Sequence, residues 1–302
     1  MSVAPEPIHT LADLVSWSFA GTALAVVGRP VAHSLSPVIH NAALAELAAT
    51  QPRFRDWRYF KFDIAPEELP QALALFHQKN FHGLNLTVPH KAPAVEHLVG
   101  SDAYVRAAGA ANTLSWTEAG WRGANTDCYG LSAALKQDLS VELRGADVIL
   151  LGAGGAARAA AVECLRQRCA SLWIGNRTPA TLAALLEDLQ MLAGETALHG
   201  FDPKHPPAGL PAGALVINAT SLGLKPGDAA PLDLGALPKP RFVYDMIYRP
   251  PQTALLRRAA ELGIASANGL SMLVHQGVRS LEIWTGAAVP AAVMQSAAYA
   301  AA

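Results

Sequence analysis

Apolar residues fall along this chain in short blocks of two kinds, and the blocks alternate. Residues 23–27 form a compact apolar run, and residues 57–62 alternate aromatic and basic side chains with the two-residue period of a strand. Residues 82–88 read as a third strand, stopped by Pro89. Ser36-Pro37 opens a helix, with Ser at the cap and Pro at the first helical position, where its missing N–H costs nothing. A second helix is expected over 65–78. Runs at 112–116 and 121–123, turning at Ala119-Gly120, predict a hairpin that closes the first half.

From residue 146 the rhythm changes. An apolar run at 146–151 gives way to Gly152-Ala153-Gly154-Gly155-Ala156 and then to an alanine-rich helix reaching Leu165. Strands are expected at 171–175, 215–218, 242–245 and 264–267, with helices at 180–192 and 253–262. Alternating strand and helix means parallel strands joined by crossovers, an α/β domain of the doubly wound type. The final stretch, 270–302, is helical in pattern and holds no strand, so it must pack on something already built.

Composition narrows the class. A chain of 302 residues suits two domains, each with room for a sizeable core. Lys and Arg number 23 against 24 Asp and Glu, whereas coating nucleic acid or an anionic membrane needs a basic excess. Residues 14–27 are mostly apolar, yet no Lys or Arg precedes Arg29, and Gly21 with Ser and Thr residues interrupts the run. Neither a secretory signal nor a membrane span of ~20 apolar residues is expected. Cys128, Cys164 and Cys169 lack both metal-site spacing and an even count, which points to a reducing, cytoplasmic setting. His33, His40 and His90 lack the paired helical spacing of a metal site, so no metal is expected.

The glycine-rich turn carries the clearest chemistry. Gly152, Gly154 and Ala157 satisfy G-x-G-x-x-A directly after a strand and at the start of a helix, the context of a dinucleotide site. The first Gly permits the tight turn, the second lets backbone approach a pyrophosphate, and the helix N-terminus attracts the phosphates. The next strand ends in Asn176-Arg177-Thr178, with no acid to grip the two ribose hydroxyls of NAD. A guanidinium beside amide and hydroxyl donors suits a 2′-phosphate, so NADP is expected. Ser34 and Ser36 place two hydroxyls before a helix, where a small carboxylate can bind, although loop and cap duties explain them equally well. Lys91 after Pro89-His90, and Asp127 in Asn125-Thr126-Asp127, are far apart in sequence, and spacing does not join them into a proton-transfer pair.

Taken together, the segments resemble the shikimate dehydrogenase family. The resemblance rests on His33-Ser34-Leu35-Ser36-Pro37, Asn85-Leu86-Thr87-Val88-Pro89-His90-Lys91, Ala111-Asn112-Thr113 and Asn125-Thr126-Asp127. It continues through the 152–157 turn, Asn176-Arg177-Thr178, Asn218-Ala219-Thr220-Ser221-Leu222-Gly223 and Tyr244-Asp245-Met246-Ile247-Tyr248. It ends with Asn268-Gly269-Leu270-Ser271 and Gln276. The motifs stand in family order from about Val27 to Gly286.

What the resemblance implies is reversible, NADP-dependent reduction of 3-dehydroshikimate to shikimate, a step of aromatic amino-acid biosynthesis. It assigns Lys91 and Asp127 as the catalytic pair and Ser34 and Ser36 to the substrate carboxylate. Asn85, Thr87, Asn112, Asp127 and Gln276 would hold ring hydroxyls, with Tyr248 closing the pocket. Gly152, Ala153, Gly154, Gly155, Ala156, Asn176, Arg177, Thr178, Thr220, Met246 and Gly269 would line NADP(H). The implied architecture is an α/β substrate domain at 1–126 and 269–302, with a Rossmann-type doubly wound parallel sheet at 127–268 inserted into it. The C-terminal helices would then return to the substrate domain.

The sequence departs from the pattern where many NADP-using members carry a second Arg, since Ala180 and Thr181 stand there. Leu86 replaces a more usual Val, and Cys128 and Tyr129 are larger than common after the Asp. Rival readings are a quinate/shikimate dehydrogenase using NAD or NADP, an inactive ligand-binding paralogue, and an enzyme for an amino-substituted shikimate analogue. The implied partner is a small-molecule substrate, with no nucleic acid or membrane, acting as a monomer or homodimer.

Overall fold

The computed structural model describes residues 6–225 and 227–302. The chain divides into two compact units, one running to Thr126 and resuming at Val274–Ala301, the other spanning Asp127–Leu273.

The first unit contains β1 (Ile8–His9), α1 (Leu11–Val15), β2 (Thr22–Gly28), α2 (Ser36–Thr50), β3 (Trp57–Asp63), α3 (Leu69–Gln78) and β4 (Gly83–Leu86). β5 (Leu98–Ser101), α4 (Ala103–Ala108), β6 (Thr113–Thr117) and β7 (Gly120–Ala124) follow. The strands form one sheet in the order β1-β3-β2-β4-β6-β7-β5, antiparallel at β4–β6 and β6–β7 and parallel elsewhere. Strand alternation splits the side chains between two faces. Ala23, Ala25, Val27, Phe60 and Phe62 pack with Leu69, Leu73 and Phe76 of α3. The opposite face carries Tyr59, which stacks on His40 of α2 with ring centroids 4.1 Å apart.

Two expected boundaries shift for local reasons. The helix foreseen from residue 65 begins as a 3-10 turn at Pro66–Glu68, where the Glu68 carboxylate accepts from the Ala65 N–H at 2.8 Å. In α2 the cap is Leu35, with Ser36 and Pro37 already helical and no side-chain cap bond. The expectation of a Ser36 cap is therefore corrected. Ser34 Oγ accepts from the Ser36 N–H at 3.3 Å, so the first hydroxyl serves the helix start.

The second unit contains α5 (Asp127–Leu139), β8 (Asp147–Leu151), α6 (Gly155–Arg166), β9 (Ser171–Gly175), α7 (Pro179–Ala193) and β10 (Ala197–Phe201). β11 (Leu215–Asn218), β12 (Phe242–Asp245), α8 (Ala254–Glu261) and β13 (Ala265–Asn268) complete it. All six strands are parallel, in the order β10-β9-β8-β11-β12-β13. This is the doubly wound Rossmann order, and its direction of travel reverses between β8 and β11. Ile149, Leu151, Val216, Val243, Leu255, Leu256 and Ile264 form the core on one side of the sheet. Buried Ala157, Ala159, Ala160 and Ala161 keep α6 slim where it packs against α5.

The strandless tail folds as α9 (Leu270–Thr285) and α10 (Ala291–Ala301). From Val274 onward it belongs to the first unit, where α10 packs on α2 and Trp284 of α9 donates to the Leu114 carbonyl at 3.0 Å. Among the described residues no helix is long and apolar enough to cross a membrane.

Candidate active site

In the first unit the chemistry gathers at the C-terminal ends of β2, β3 and β4. The chain leaving β4 is pinned at successive points. Thr87 donates its N–H to the Val27 carbonyl at 2.9 Å, His90 Nε2 lies 2.9 Å from the Ile64 carbonyl, and the Lys91 carbonyl accepts from the Ala111 N–H at 2.8 Å. Lys91, half-buried, is thereby held by its backbone beside the segment that delivers Asn112.

Asn112, Gln276 and Asn85 meet in one buried polar network. Asn112 Nδ2 donates to Thr126 Oγ1 at 2.9 Å and to Gln276 Oε1 at 3.3 Å, while its Oδ1 accepts from the Thr126 N–H at 2.7 Å. Asn85 Nδ2 reaches the Asn112 carbonyl, Thr113 Oγ1 and Ser280 Oγ at 3.0–3.1 Å, and its Oδ1 accepts from the Tyr59 hydroxyl at 2.7 Å. An amide has two N–H donors, so those of Asn85 are committed within the protein, and its carbonyl keeps one lone pair. Burial pushes the Tyr59 phenol well above its ordinary pKa, with the Ser36 side chain opposing that rise. Ser36 is itself buried. Tyr59 therefore links the Ser36 and Asn85 regions.

The reading of the sequence missed Tyr59, Thr113, Thr126 and Ser280. Ser280 alone had a local signal, since it lies one helical turn after Gln276 and so shares its face of α9.

In the second unit the glycine-rich turn stands at the reversal of strand order, where ligands of open α/β sheets bind. Gly152 has φ of +112°, and a Cβ there would lie 3.1 Å from the Ala219 carbonyl oxygen of the adjoining turn. Any larger residue meets both a conformational and a steric penalty. Gly154 caps α6 without a side-chain bond, leaving first-turn N–H groups for a ligand. The turn borders a cavity of about 260 Å³ shared with Asn176, Arg177, Ala219 and Thr220. A backbone cradle with uncapped amides and no side chain to fill it fits a dinucleotide phosphate.

Asn176 is fixed by its N–H to the Phe201 carbonyl at 3.1 Å and its Nδ2 to the Thr178 carbonyl at 3.0 Å. Arg177 is exposed and forms no ion pair among the described residues. Thr220 is held by Asn218 Oδ1, which accepts from its N–H at 3.0 Å and its hydroxyl at 2.7 Å. Asn218 in turn donates to Asp245 Oδ1 at 2.9 Å, and Thr253 donates to Asp245 Oδ2 at 2.6 Å. Burial raises the Asp245 pKa, and the Thr253, Ile247 and Asn218 hydrogen bonds oppose it. Gly269 lies against Met246, whose carbonyl oxygen would be 2.1 Å from a Cβ at that position. Tyr248 follows β12, partly exposed. Asp127 is the first residue of α5 and is buried. Lys91 and Asp127 thus belong to different units. Among the described residues no cluster of three or more His, Cys, Asp or Glu could hold a metal ion.

Comparison with known proteins bears on both units. The model of the shikimate dehydrogenase substrate-binding domain matches residues 26–114, and that of the shikimate 5′-dehydrogenase C-terminal domain matches residues 269–299. The NADP(+) shikimate dehydrogenase of Thermosynechococcus vestitus is 36% identical over 278 residues, covering 91% of this chain and 93% of that protein. A solved structure of Thermus thermophilus shikimate 5-dehydrogenase with NADP(H) and shikimate has a TM-score of 0.81 and 34% identity. That match covers 93% of this chain and all of that one. The ligand-free 5-ketofructose reductase of a Gluconobacter strain also scores 0.81, at 32% identity, over 94% of this chain and 99% of its own.

Proposed function

This chain belongs to the shikimate dehydrogenase family, and from that membership we propose that it catalyses the reversible, NADP-dependent reduction of 3-dehydroshikimate to shikimate. The observation that carries the reading in this chain's own residues is the cofactor turn. It stands at the strand-order reversal, open to phosphate, beside an exposed Arg177 that no acid among the described residues neutralises.

Gly152–Gly155 backbone amides would hold the pyrophosphate, with Ala153 and Ala156 completing the turn, and Arg177 with Asn176 and Thr178 would take the 2′-phosphate. Thr220, Met246 and Gly269 would flank the rest of the cofactor. Bound NADPH supplies the hydride for the substrate ketone. Lys91 then delivers a proton from Nζ to the oxygen that becomes the hydroxyl, and takes it back in the oxidative direction. Asp127 pairs with it as the carboxylate that steadies the ammonium's charge and helps restore its proton. Ser34 and Ser36 hold the substrate carboxylate, Thr87, Asn112 and Gln276 the ring hydroxyls, and Tyr248 the outer edge. Asn85 acts through the network it braces.

The proposed state of assembly is a monomer or homodimer. Cys128, Cys164 and Cys169 form no disulfide among the described residues, in keeping with a reducing cytoplasm.

The deciding experiment is steady-state oxidation of shikimate and of quinate, each with NADP and with NAD. Reduction of 5-ketofructose is a further arm, because one structural relative carries that name. Turnover dominated by shikimate with NADP is the expected result. Preference for quinate or NAD would move the chain to the rival subclass, and activity confined to 5-ketofructose would overturn the substrate assignment.

A further inference from the structure

The scheme above leaves one buried cation unused. Lys61 of β3 is only 7% exposed, and its Nζ donates to the Ala32 carbonyl at 3.0 Å. It forms no ion pair among the described residues. Arg29, just past the end of β2, is paired with Asp63 at 3.7 Å, and Arg58, near the start of β3, with Glu6 at 3.4 Å. A buried ammonium without a carboxylate is costly, and chains seldom keep one without a use for it. Burial lowers the Lys61 pKa, with the charge of Glu6 opposing.

Its place in the sheet shows what it stands among. Lys61, Val26 and Asn85 occupy one register row across β3, β2 and β4, so their side chains leave the same face, with strands about 4.8 Å apart. Tyr59, two residues earlier on β3 and so on that face too, bonds to Asn85 and stacks on His40 of α2. The Ala32 carbonyl that Lys61 holds belongs to the loop that delivers Ser34 and Ser36 to the start of α2. The ammonium therefore sits in the layer of the two serines, in the same row as Asn85 and two strands away from it.

We propose that Lys61 is the counter-charge for the substrate carboxylate, the residue that makes the first unit prefer an anionic ring over a neutral one. This rests on the reading of Ser34 and Ser36 as the carboxylate subsite. Two hydroxyls are neutral donors, and a charge-assisted partner is roughly twice as strong. An arriving carboxylate also relieves an ammonium already stripped of water, so the gain in binding exceeds that of the same pair at an exposed surface.

The test compares wild type, Lys61→Met, Lys61→Gln and Lys61→Arg on shikimate and on its neutral methyl ester, both with NADP. Lys61→Met and Lys61→Gln should each raise KM for shikimate by roughly tenfold or more, with KM for the ester within about twofold of wild type. Lys61→Arg should keep most of the preference for the acid. The Gln variant retains an N–H for the Ala32 carbonyl but no charge, so it separates charge from loop anchoring. If Lys61→Gln behaves as wild type, or if either neutral variant raises both KM values alike, Lys61 is an anchor and the proposal falls. Failure of the substrate reading is visible separately, because wild type would then not oxidise shikimate at all.

Discussion

Acidification should unlatch the first unit through His40. Its ring is buried, stacked on Tyr59, with Nδ1 at 2.8 Å from the Ser36 carbonyl, while Nε2 meets no well-aligned hydrogen-bond partner among the described residues. A second proton on that ring would place a charge in a buried, largely apolar setting. Burial pulls its pKa from 6.5 down to about 4, and backbone hydrogen bonding to Ser36 and Gly277 only partly opposes. The unfolded chain then binds a proton that the folded chain refuses, so stability rises with pH across this window. The contribution of His40 is fully present above pH 6.5 and drains away as pH falls toward 4. At about 1.4 kcal/mol per pH unit the whole span is worth about 3 kcal/mol, of which about 2 kcal/mol is lost between pH 7 and pH 5. Five of the six tryptophans lie in the first unit, so intrinsic fluorescence during urea unfolding reports mainly on it. His40→Gln should flatten the dependence of unfolding free energy on pH by that amount between pH 7 and pH 5, whatever it does to stability at pH 7. His90, also buried with a lowered pKa, is present in both proteins and cancels from the difference. Parallel pH profiles for wild type and His40→Gln would refute the reasoning.

Lys91→Ala should lower kcat by roughly 10²- to 10⁴-fold while KM for shikimate moves less than about threefold, the signature of a lost proton donor. A rise in KM that accounts for the whole loss would make Lys91 a binding residue instead. Arg177→Ala should raise KM for NADP roughly tenfold and leave KM for NAD nearly unchanged, since its guanidinium is free to meet the phosphate that only NADP carries. Equal weakening toward both cofactors would locate its contact on the part they share.

The second unit was the more legible of the two. Strands expected at 171–175, 215–218 and 242–245 coincide with β9, β11 and β12 to the residue. Strands covered on both faces must be apolar throughout, and here Gly175, Asn218 and Asp245 end them at the positions where loops take over. The edge strand β10 escaped notice because its exposed residues and Gly200 erase that contrast. Helix α5 also went unseen, for Gly130 and a weak apolar period hide it. In the first unit β1, β5 and α4 are two, four and six residues long, too short for any period to declare itself. The 65–78 helix and the 57–62 strand stood out because each is long enough to show one.

The two units hold their proposed ligand-facing residues by different physics, and that difference explains what sequence can disclose. On the proposed cofactor side the groups on offer are mainly backbone, set by a tight turn at Gly152 and by the ends of parallel strands. Such a site needs glycine at fixed spacing, so it leaves a local motif. On the proposed substrate side the groups on offer are side chains whose orientation depends on partners far off in the chain. Asn85 is aimed by Tyr59, Thr113 and Ser280, at separations of 26, 28 and 195 residues. No window of sequence contains those partners together. A buried network of this kind is unforgiving, because removing one member strands the polar groups of the others. It is also what fixes the amide orientations that a ring of several hydroxyls would have to match. Lys61 obeys the same logic, since its meaning comes from the loop carbonyl it holds 29 residues away and from the face of the sheet it shares with Asn85.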